Sequence, residues 1–265
     1  MDIRLNCRQY RHTYEAKVEE KRKNTTCTQL SHHLNRMPER IDSSDLSALC
    51  DRVTGLLRDK KRQLAPNSPV RVLIAVAGVP GAGKSTITAR LIPPLKAWNI
   101  IAAVLAQDGF DYDGEVLRQM PSPEEAIERR GARFTFDARA FVKMVADVQR
   151  MAGVNSVWGP TFDHALKDPT PDGVEIAPEV QVVFVEGNYV LLKDTVWSRI
   201  GELTDESWFV LGDSAEIVER IVKRHLAAGI ASTEAEARDR AMGSDQLNAL
   251  YVVEHSRTPE IEIVN

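Results

Sequence analysis

The chain has 265 residues, of which 43% are hydrophobic and 27% are charged, and its formal net charge at pH 7 is −4. This composition fits one large α/β domain or two small ones, and it excludes the fibrous and intrinsically disordered classes. Residues 1–36 carry 8 Lys/Arg against 4 Asp/Glu, a charge of +4, so the remaining residues sum to −8. Such an acidic body argues against nucleic acid as a partner.

The cysteines Cys7, Cys27 and Cys50 are widely spaced, and no two of them form a C-x-x-C pair. Neither a disulfide framework nor a zinc site is indicated, so we expect a reducing compartment such as the cytoplasm. The longest uncharged apolar run, residues 72–83, is too short to span a bilayer. We therefore expect a soluble protein with no membrane partner.

Residues 1–42 form a basic arm that lacks the apolar stretch of a secretory signal. The acidic residues Asp2, Glu15, Glu19 and Glu20 argue against a mitochondrial transit peptide. Because the arm has little apolar surface to bury, we expect it to be poorly ordered or a short helix, and to add little to a core.

The next segment has the spacing of a helix that packs on a core, and it opens the domain proper, residues 43–265. Ser43 or Ser44 is the expected N-cap. The apolar positions are Leu46, Leu49, Cys50, Val53, Leu56 and Leu57. We expect this helix to carry no chemistry.

A glycine-rich turn then follows the apolar residues 70–77, which read as a strand buried on both faces. The turn matches G-x-x-x-x-G-K-[ST], with Lys84 and Ser85 at its end. Glycines let successive backbone N–H groups point at phosphate oxygens, and the following helix N-terminus adds its dipole. Lys84 is expected to reach the β and γ phosphates, and Ser85 to bind magnesium. The predicted nucleotide-binding residues of this loop are Gly78, Val79, Pro80, Gly81, Ala82, Gly83, Lys84, Ser85 and Thr86.

Further strand patterns at residues 100–106, 182–185 and 208–211 alternate with helical patterns such as 137–151 and 215–227. Alternation of this kind predicts an α/β fold with a parallel sheet and helices on both faces. Ligands of such sheets bind beyond the carboxyl ends of the strands. Acidic residues at strand ends are therefore the next candidates.

Asp108 follows the strand pattern 100–106, and it lies beside the phosphate loop if the two strands are neighbours. A carboxylate there is suited to orient a hydroxyl nucleophile and to take its proton. The alternative is a turn aspartate, because Asp-Gly is a common turn. Asp111 and Asp113 have the composition of a metal site, but a solvated acidic loop is the preferred interpretation.

Glu186 ends the strand pattern 182–185 in the manner of a Walker-B carboxylate, which holds magnesium together with the loop hydroxyl of Ser85. The helical pattern 215–227 carries Arg220 and Arg224 on its polar side. That basic face is either solvated or closes over the transferred phosphoryl group, and both interpretations stay open. His225 is expected to be structural.

Several segments, in this order, resemble those of a known family: "GVPGAGKST", "DGF", "RRGARFTFD", "PTFDHALKDP", "VEGNYVLL", "RHLAAGI" and "DQLNALYV". They resemble the uridine kinase, pantothenate kinase and phosphoribulokinase group of P-loop small-molecule kinases, particularly its fungal ATP-dependent kinases and the bacterial kinases linked to fructose transport. The resemblance covers residues 70–260. It implies a P-loop kinase fold with a small helical lid, ATP and magnesium as cofactors, and Asp108 as the catalytic base.

The resemblance also implies which residues line the pocket of a small hydroxyl acceptor: Arg130, Phe162, Asp163, His164, Asn188 and Tyr189. A structural alternative exists for two of the segments, since "TFDA" fits a helix N-cap and "FDH" fits a turn. Members of the family usually have histidine after "DGF", where this chain has Asp111, so the identity of the acceptor cannot be carried over.

The leading hypothesis is therefore a kinase that transfers the γ-phosphoryl group of ATP to a nucleoside, vitamin or sugar, with Lys84 and Asp108 as catalytic residues. A nucleotide-dependent switch or motor is a second hypothesis, although the sequence has no N-K-x-D guanine motif. A scaffold that binds nucleotide without turnover is a third, which the intact set of candidate residues disfavours. Acceptor-stimulated ADP formation distinguishes the kinase from the other two.

Overall fold

A computed structural model describes residues 7–27, 37–163, 166, 168–194 and 196–265. The strands of this part of the chain are β1 (Glu39–Asp42), β2 (Val72–Gly78), β3 (Ala102–Ala106), β4 (Val157–Asp163), β5 (Asp168–Ile176), β6 (Val182–Glu186), β7 (Glu206–Leu211) and β8 (Ile261–Val264). Its helices are α1 (Cys7–Cys27), α2 (Leu46–Gln63), α3 (Lys84–Ala97), α4 (Gly114–Arg118), α5 (Pro123–Glu128), α6 (Ala138–Arg150), α7 (Ile200–Leu203), α8 (Ser214–Ala227), α9 (Glu234–Arg240) and α10 (Gln246–His255).

Six strands form one parallel sheet in the order β1-β8-β7-β2-β6-β3. The strand before the phosphate loop, β2, lies inside the sheet between β6 and β7, and all seven of its residues are buried. This position explains its uninterrupted apolar sequence. The predicted α/β class with a parallel sheet is confirmed.

The strand that precedes Asp108, β3, is not a neighbour of β2, the strand that precedes the phosphate loop. The strand β6 lies between them, and its last residue, Glu186, is paired with Val76 of β2 and with Ala106 of β3. Parallel strands end at the same edge of a sheet. The phosphate loop, Glu186 and Asp108 therefore follow one another along that edge, with Glu186 in the middle.

The helix α2 buries Leu49, Cys50, Val53 and Leu57 against the core. Its N-cap is Asp45, which accepts a hydrogen bond from the backbone N–H of Ala48, rather than Ser43 or Ser44. Serine and aspartate are both good N-caps, so the sequence alone could not distinguish the three positions.

For the N-terminal arm, residues 1–42, the expectation was low order or a short helix, and its described part contains a helix and a short strand. Residues 7–27 form the 21-residue helix α1, in which Tyr14 is only 4% exposed, and Lys17 Nζ lies 2.6 Å from Glu254 Oε2 of α10. Residues 39–42 form β1, which joins the main sheet through β8. Tyr14 belongs to the hydrophobic core and Val18 packs against it, so a few apolar side chains are enough to join this helix to the domain.

The strands β4 and β5 form a separate antiparallel hairpin that packs against the turn containing Asp108. Gly109 makes this approach possible, because a Cβ atom at this position would clash with the carbonyl oxygen of Pro160 on β4. The hairpin thus becomes a wall beside the carboxyl edge of the sheet. No helix within the described residues combines the length and apolar content that a membrane span requires.

Candidate active site

A cleft of about 830 Å³ opens at the carboxyl edge of the sheet, between the phosphate loop, the turn after β3, the hairpin and the C-terminal half of α8. Its volume is that of a typical small-molecule site. Lys84, Ser85, Asp108 and Glu186, which the sequence singled out from separate segments, all line this one cleft.

The phosphate loop has the backbone that the motif predicts. Gly81 has φ of 77° and Gly83 has φ of 102°, the left-handed region in which a side chain is strained. Gly83 is also the N-cap of α3, so the loop ends at a helix N-terminus. A curl of N–H groups followed by a helix N-terminus fits the charge and shape of a triphosphate.

Lys84 is buried, and its ammonium group donates to the carbonyl oxygens of Gly78 and Val79 at 3.1 Å and to Asn188 Oδ1 at 2.7 Å. Burial lowers the pKa of Lys84 to about 8, while the nearby carboxylates of Glu186 and Asp108 act in the opposite direction. Asn188 thus lines the cleft and also binds the lysine of the phosphate loop.

Glu186 is bound to two hydroxyl groups of α3. Ser85 Oγ donates to Glu186 Oε1 at 2.6 Å, and Thr88 Oγ1 donates to Glu186 Oε2 at 3.1 Å. Hydroxyl and carboxylate oxygens are the hard ligands that magnesium prefers, and magnesium usually takes one or two protein oxygens together with phosphate and water. The described residues contain no cluster of three or more His, Cys, Asp or Glu side chains suited to a metal. The pair Ser85–Glu186 therefore fits a magnesium ion shared with a nucleotide.

Asp108 lies in the 3₁₀ turn Gln107–Phe110 that directly follows β3 and lines the cleft. Its position beyond a strand end, across Glu186 from the phosphate loop, fits a carboxylate that faces the terminal phosphate of a bound nucleotide.

Asp111 is not part of a solvated loop, in contrast to the expectation for this acidic segment. It is buried, its Oδ2 accepts from Arg130 Nε at 3.1 Å, and its Oδ1 accepts from Thr135 Oγ1 at 3.1 Å. Burial raises the pKa of Asp111 to about 7, against the influence of Arg130 and Thr135. Asp113 has an ordinary structural role, since it caps α4 through the backbone N–H groups of Glu115 and Val116.

The residues assigned to the acceptor pocket by resemblance separate into two groups. Arg130, Phe162 and Asn188 line the cleft. Tyr189 lies in the core at 1% exposure instead, packs near Phe136, and donates its hydroxyl to the carbonyl oxygen of Gly131 at 2.8 Å.

Asp163 does not line the cleft either. It ends β4 and accepts from the backbone N–H of Leu166 at 3.1 Å, which is the turn role left open above. His164 lies outside the described residues. The N-cap alternative also holds for "TFDA", because Asp137 caps α6 through the backbone N–H of Ala140.

The helix α8 contributes Arg220 and Arg224 to the lining of the cleft. Arg220 Nη2 lies 2.8 Å from Glu216 Oε2, and Arg224 Nη2 lies 3.8 Å from Asp245 Oδ1. His225, expected to be structural, lines the cleft although it is only 3% exposed, with Nε2 at 3.2 Å from Asp245 Oδ2.

Two lining regions were missed by sequence reasoning. Asn265, after β8, donates from Nδ2 to the carbonyl oxygen of Ala82 in the phosphate loop at 2.8 Å and accepts from Ser43 Oγ at 3.0 Å. The π-helical turn Ala241–Asp245 and Asn248 form the other region. The segment "DQLNALYV" was a signal for the latter, whereas a lone terminal asparagine offers none.

Comparisons with known proteins agree with these motifs. No family model matches the chain. A Schizosaccharomyces pombe protein that carries the provisional name uridine kinase C227.14 is 34% identical over 233 residues, which are 85% of this chain and 94% of that protein. The ATP-dependent kinase-like protein notR' of Aspergillus versicolor is 42% identical over 159 residues, 59% of this chain and 92% of the relative.

Among solved structures, a protein of Silicibacter sp. TM1040, provisionally described as a fructose transport system kinase, matches with a TM-score of 0.70 and 30% identity over 82% of this chain and 98% of the other. Together, the fold and the cleft define a P-loop protein of the kinase type. The chain belongs to the uridine kinase, pantothenate kinase and phosphoribulokinase group of P-loop kinases.

Proposed function

We propose that the protein is an ATP-dependent kinase that transfers the γ-phosphoryl group to a hydroxyl of a small metabolite such as a nucleoside, vitamin or sugar. The observation that carries this proposal is the grouping of Lys84, the Ser85–Glu186 pair and Asp108 in one cleft. A protein that only binds nucleotide needs the first three of these residues, but it has no need of a carboxylate beyond the terminal phosphate.

In this proposal the backbone of residues 78–86 holds the triphosphate, and Lys84 stabilises the charge that develops on the transferred group. Asn188 keeps the ammonium group directed at the loop through its 2.7 Å hydrogen bond. Ser85 and Glu186 would hold magnesium, which would neutralise charge on the phosphate oxygens. Arg220 and Arg224 bind the phosphates from the opposite side of the cleft.

Asp108 is the proposed general base. It accepts the proton of the acceptor hydroxyl as that oxygen attacks the γ-phosphorus, while the bond from the γ-phosphorus to the bridging oxygen breaks and its electron pair leaves with ADP. Arg130 and Phe162 line the part of the cleft in which the acceptor binds.

The test is a measurement of ADP release from the full-length protein with ATP and magnesium, with and without each member of a panel of nucleosides, sugars and vitamins. The proposal expects at least one acceptor to raise ADP release well above the rate in buffer, and the phosphorylated acceptor to appear in equal amount. A slow ATP hydrolysis that no acceptor stimulates would instead favour the nucleotide-dependent switch or scaffold.

A further inference from the structure

The guanidinium group of Arg130 lines the cleft together with Asp111 and Phe162, and three of its five N–H groups have partners within the protein. Its single Nε–H donates to Asp111 Oδ2 at 3.1 Å. Both N–H groups of Nη2 have partners as well, namely the carbonyl oxygen of Tyr112 at 2.9 Å and Asp168 Oδ1 at 2.8 Å.

This arrangement leaves Arg130 without an edge for an anion. A carboxylate or phosphate is bound tightly by two parallel N–H groups, which come either from Nε and Nη2 or from Nη1 and Nη2. Because Nε and Nη2 are occupied, Nη1 is the one nitrogen of this group without a partner among the described residues, and alone it can make only single contacts with an anion. The Phe162 ring also lies against the guanidinium group, with its centroid 5.4 Å from Cζ.

The charges around Arg130 also disfavour the binding of an anion at this part of the cleft. Asp111 and Asp168 both form ion pairs with this one guanidinium group, and Asp108 lines the cleft as Arg130 and Asp111 do. Two carboxylates therefore pair with one cation, and a third carboxylate, that of Asp108, lines the same cleft. These carboxylates would repel an anionic acceptor placed next to Asp108. A hydroxyl group of a neutral acceptor, in contrast, donates favourably to a carboxylate oxygen.

We infer that the acceptor is an uncharged polyhydroxylated molecule, and that Asp111 sets this specificity by occupying Arg130; the inference rests on the kinase function proposed above. The hydroxyl groups of such an acceptor donate to the carboxylates, and its less polar faces pack on Phe162, Phe136 and Ile127, which line the same part of the cleft. Asp111 is thus a specificity-determining residue that excludes carboxylates and phosphate esters.

The test uses acceptors that form matched pairs differing in charge, namely glycerol with D-glycerate and ribose with ribose 5-phosphate, together with uridine as a larger neutral acceptor. Assays run with ATP and magnesium at about pH 8, where Asp111 is ionised. The measured quantity is the ratio of kcat/KM for the best neutral acceptor to that for the best anionic one.

The wild-type protein should prefer neutral acceptors. Asp111→Asn should lower the ratio at least about tenfold, because Arg130 loses one of its two anionic partners and its positive charge is then available to an anionic acceptor. Asp168→Asn, at a half-exposed site on the same guanidinium group, should lower the ratio less. Asp172→Asn is the matched control: it changes the net charge equally, lies on the exposed part of β5, and has φ of 50°, which asparagine tolerates.

A second measurement does not depend on turnover. With the nucleotide site saturated by ADP and magnesium, D-glycerate and ribose 5-phosphate should raise the melting temperature of Asp111→Asn but not that of the wild type. If no acceptor supports turnover, the proposed kinase function fails, and this measurement alone decides the inference.

Three results would overturn the inference. In the first, wild-type protein uses an anionic acceptor as well as its neutral partner, or is stabilised by the anion. In the second, Asp111→Asn folds but changes neither the kcat/KM ratio nor the melting response to an anion. If Asp111→Asn does not fold, the same result for Asp168→Asn takes its place. In the third, Asp172→Asn shifts the ratio as much as Asp111→Asn, which would show a general effect of net charge.

Discussion

Ser85 Oγ donates a 2.6 Å hydrogen bond to Glu186 Oε1, although the two residues are 101 positions apart in the chain. The contact joins the N-terminus of α3 to the end of β6, and it brings a hydroxyl and a carboxylate to one point beside the phosphate loop. Asp108 lies in the turn after the neighbouring strand β3, so the proposed metal ligands and the proposed base meet at one edge of the sheet.

Glu186→Gln should raise the magnesium concentration needed for half-maximal activity and lower kcat by roughly 10²-fold, because an amide oxygen binds a hard cation more weakly than a carboxylate does. A magnesium titration of kcat measures both effects. Thr88→Val is the matched control, since it removes the other hydroxyl partner of Glu186 at 3.1 Å but no proposed metal ligand. An unaltered magnesium dependence of Glu186→Gln would exclude it as a ligand.

Lys84→Ala should lower kcat by on the order of 10² or more, because the ammonium group interacts most strongly with the charge of the transition state. Lys84 is buried, so circular dichroism and thermal melting must accompany the kinetics to show that the variant is folded. A folded variant with normal turnover would contradict the proposed role of the phosphate loop.

Asp108→Asn keeps the size of the side chain but removes its basicity, so acceptor phosphorylation should fall by roughly 10² to 10⁴. ATP affinity should hardly change, because the backbone amides, Lys84 and magnesium hold the triphosphate. Single-turnover phosphorylation and equilibrium ATP binding measure the two quantities separately. If ATP binding weakens in a magnesium-dependent manner, Asp108 is a metal ligand; if neither quantity changes, Asp108 is a turn residue.

The stability of the protein should depend on the titration of Asp111, which faces Arg130, Thr135 and Asp108. Its pKa is raised from 3.8 to about 7, so between these values the folded protein binds a proton that the unfolded chain has lost. This contribution to stability is complete below the lower value and is lost as the pH rises through the upper one.

Asp111→Asn lacks this titration, so its free energy of unfolding should improve relative to the wild type as the pH rises from about 5 to 8. Urea denaturation of both proteins across this range measures the difference. A constant difference would show that the pKa is not raised, and a difference that moves in the opposite direction would show that it is lowered.

Tyr14→Ala in α1 should destabilise the protein by about 2 to 3 kcal/mol, because it removes an aromatic ring that is 4% exposed. Lys17→Ala is the control on the same helix; it breaks a largely exposed ion pair with Glu254, and such pairs contribute about 0 to 1 kcal/mol. Chemical denaturation compares the two variants. Equal stability of Tyr14→Ala and the wild type would show that α1 adds little to the fold, as its composition suggests.

The sequence by itself predicted the phosphate loop, the alternation of strands and helices, and the acidic residues at strand ends. Their signals are local: the loop is a contiguous motif, and the buried strand β2 is apolar at every position because both of its faces are covered. The hairpin of β4 and β5 escaped detection because Pro160, Pro169 and Pro171 interrupt the strand pattern, as prolines do near sheet edges.

Tertiary structure alone decided which polar residues meet. Asp111 and Asp168 approach Arg130 from segments 19 and 38 residues away, and Asn265 reaches the phosphate loop across 183 residues. No local pattern encodes such pairs, because each partner has a sequence context that suits a solvated charge equally well. Asp111 is buried where the turn after β3 meets the segment before α6, through its bridge with Phe136 and its hydrogen bonds with Arg130 and Thr135. A buried carboxylate needs such partners, and only the tertiary structure supplies them.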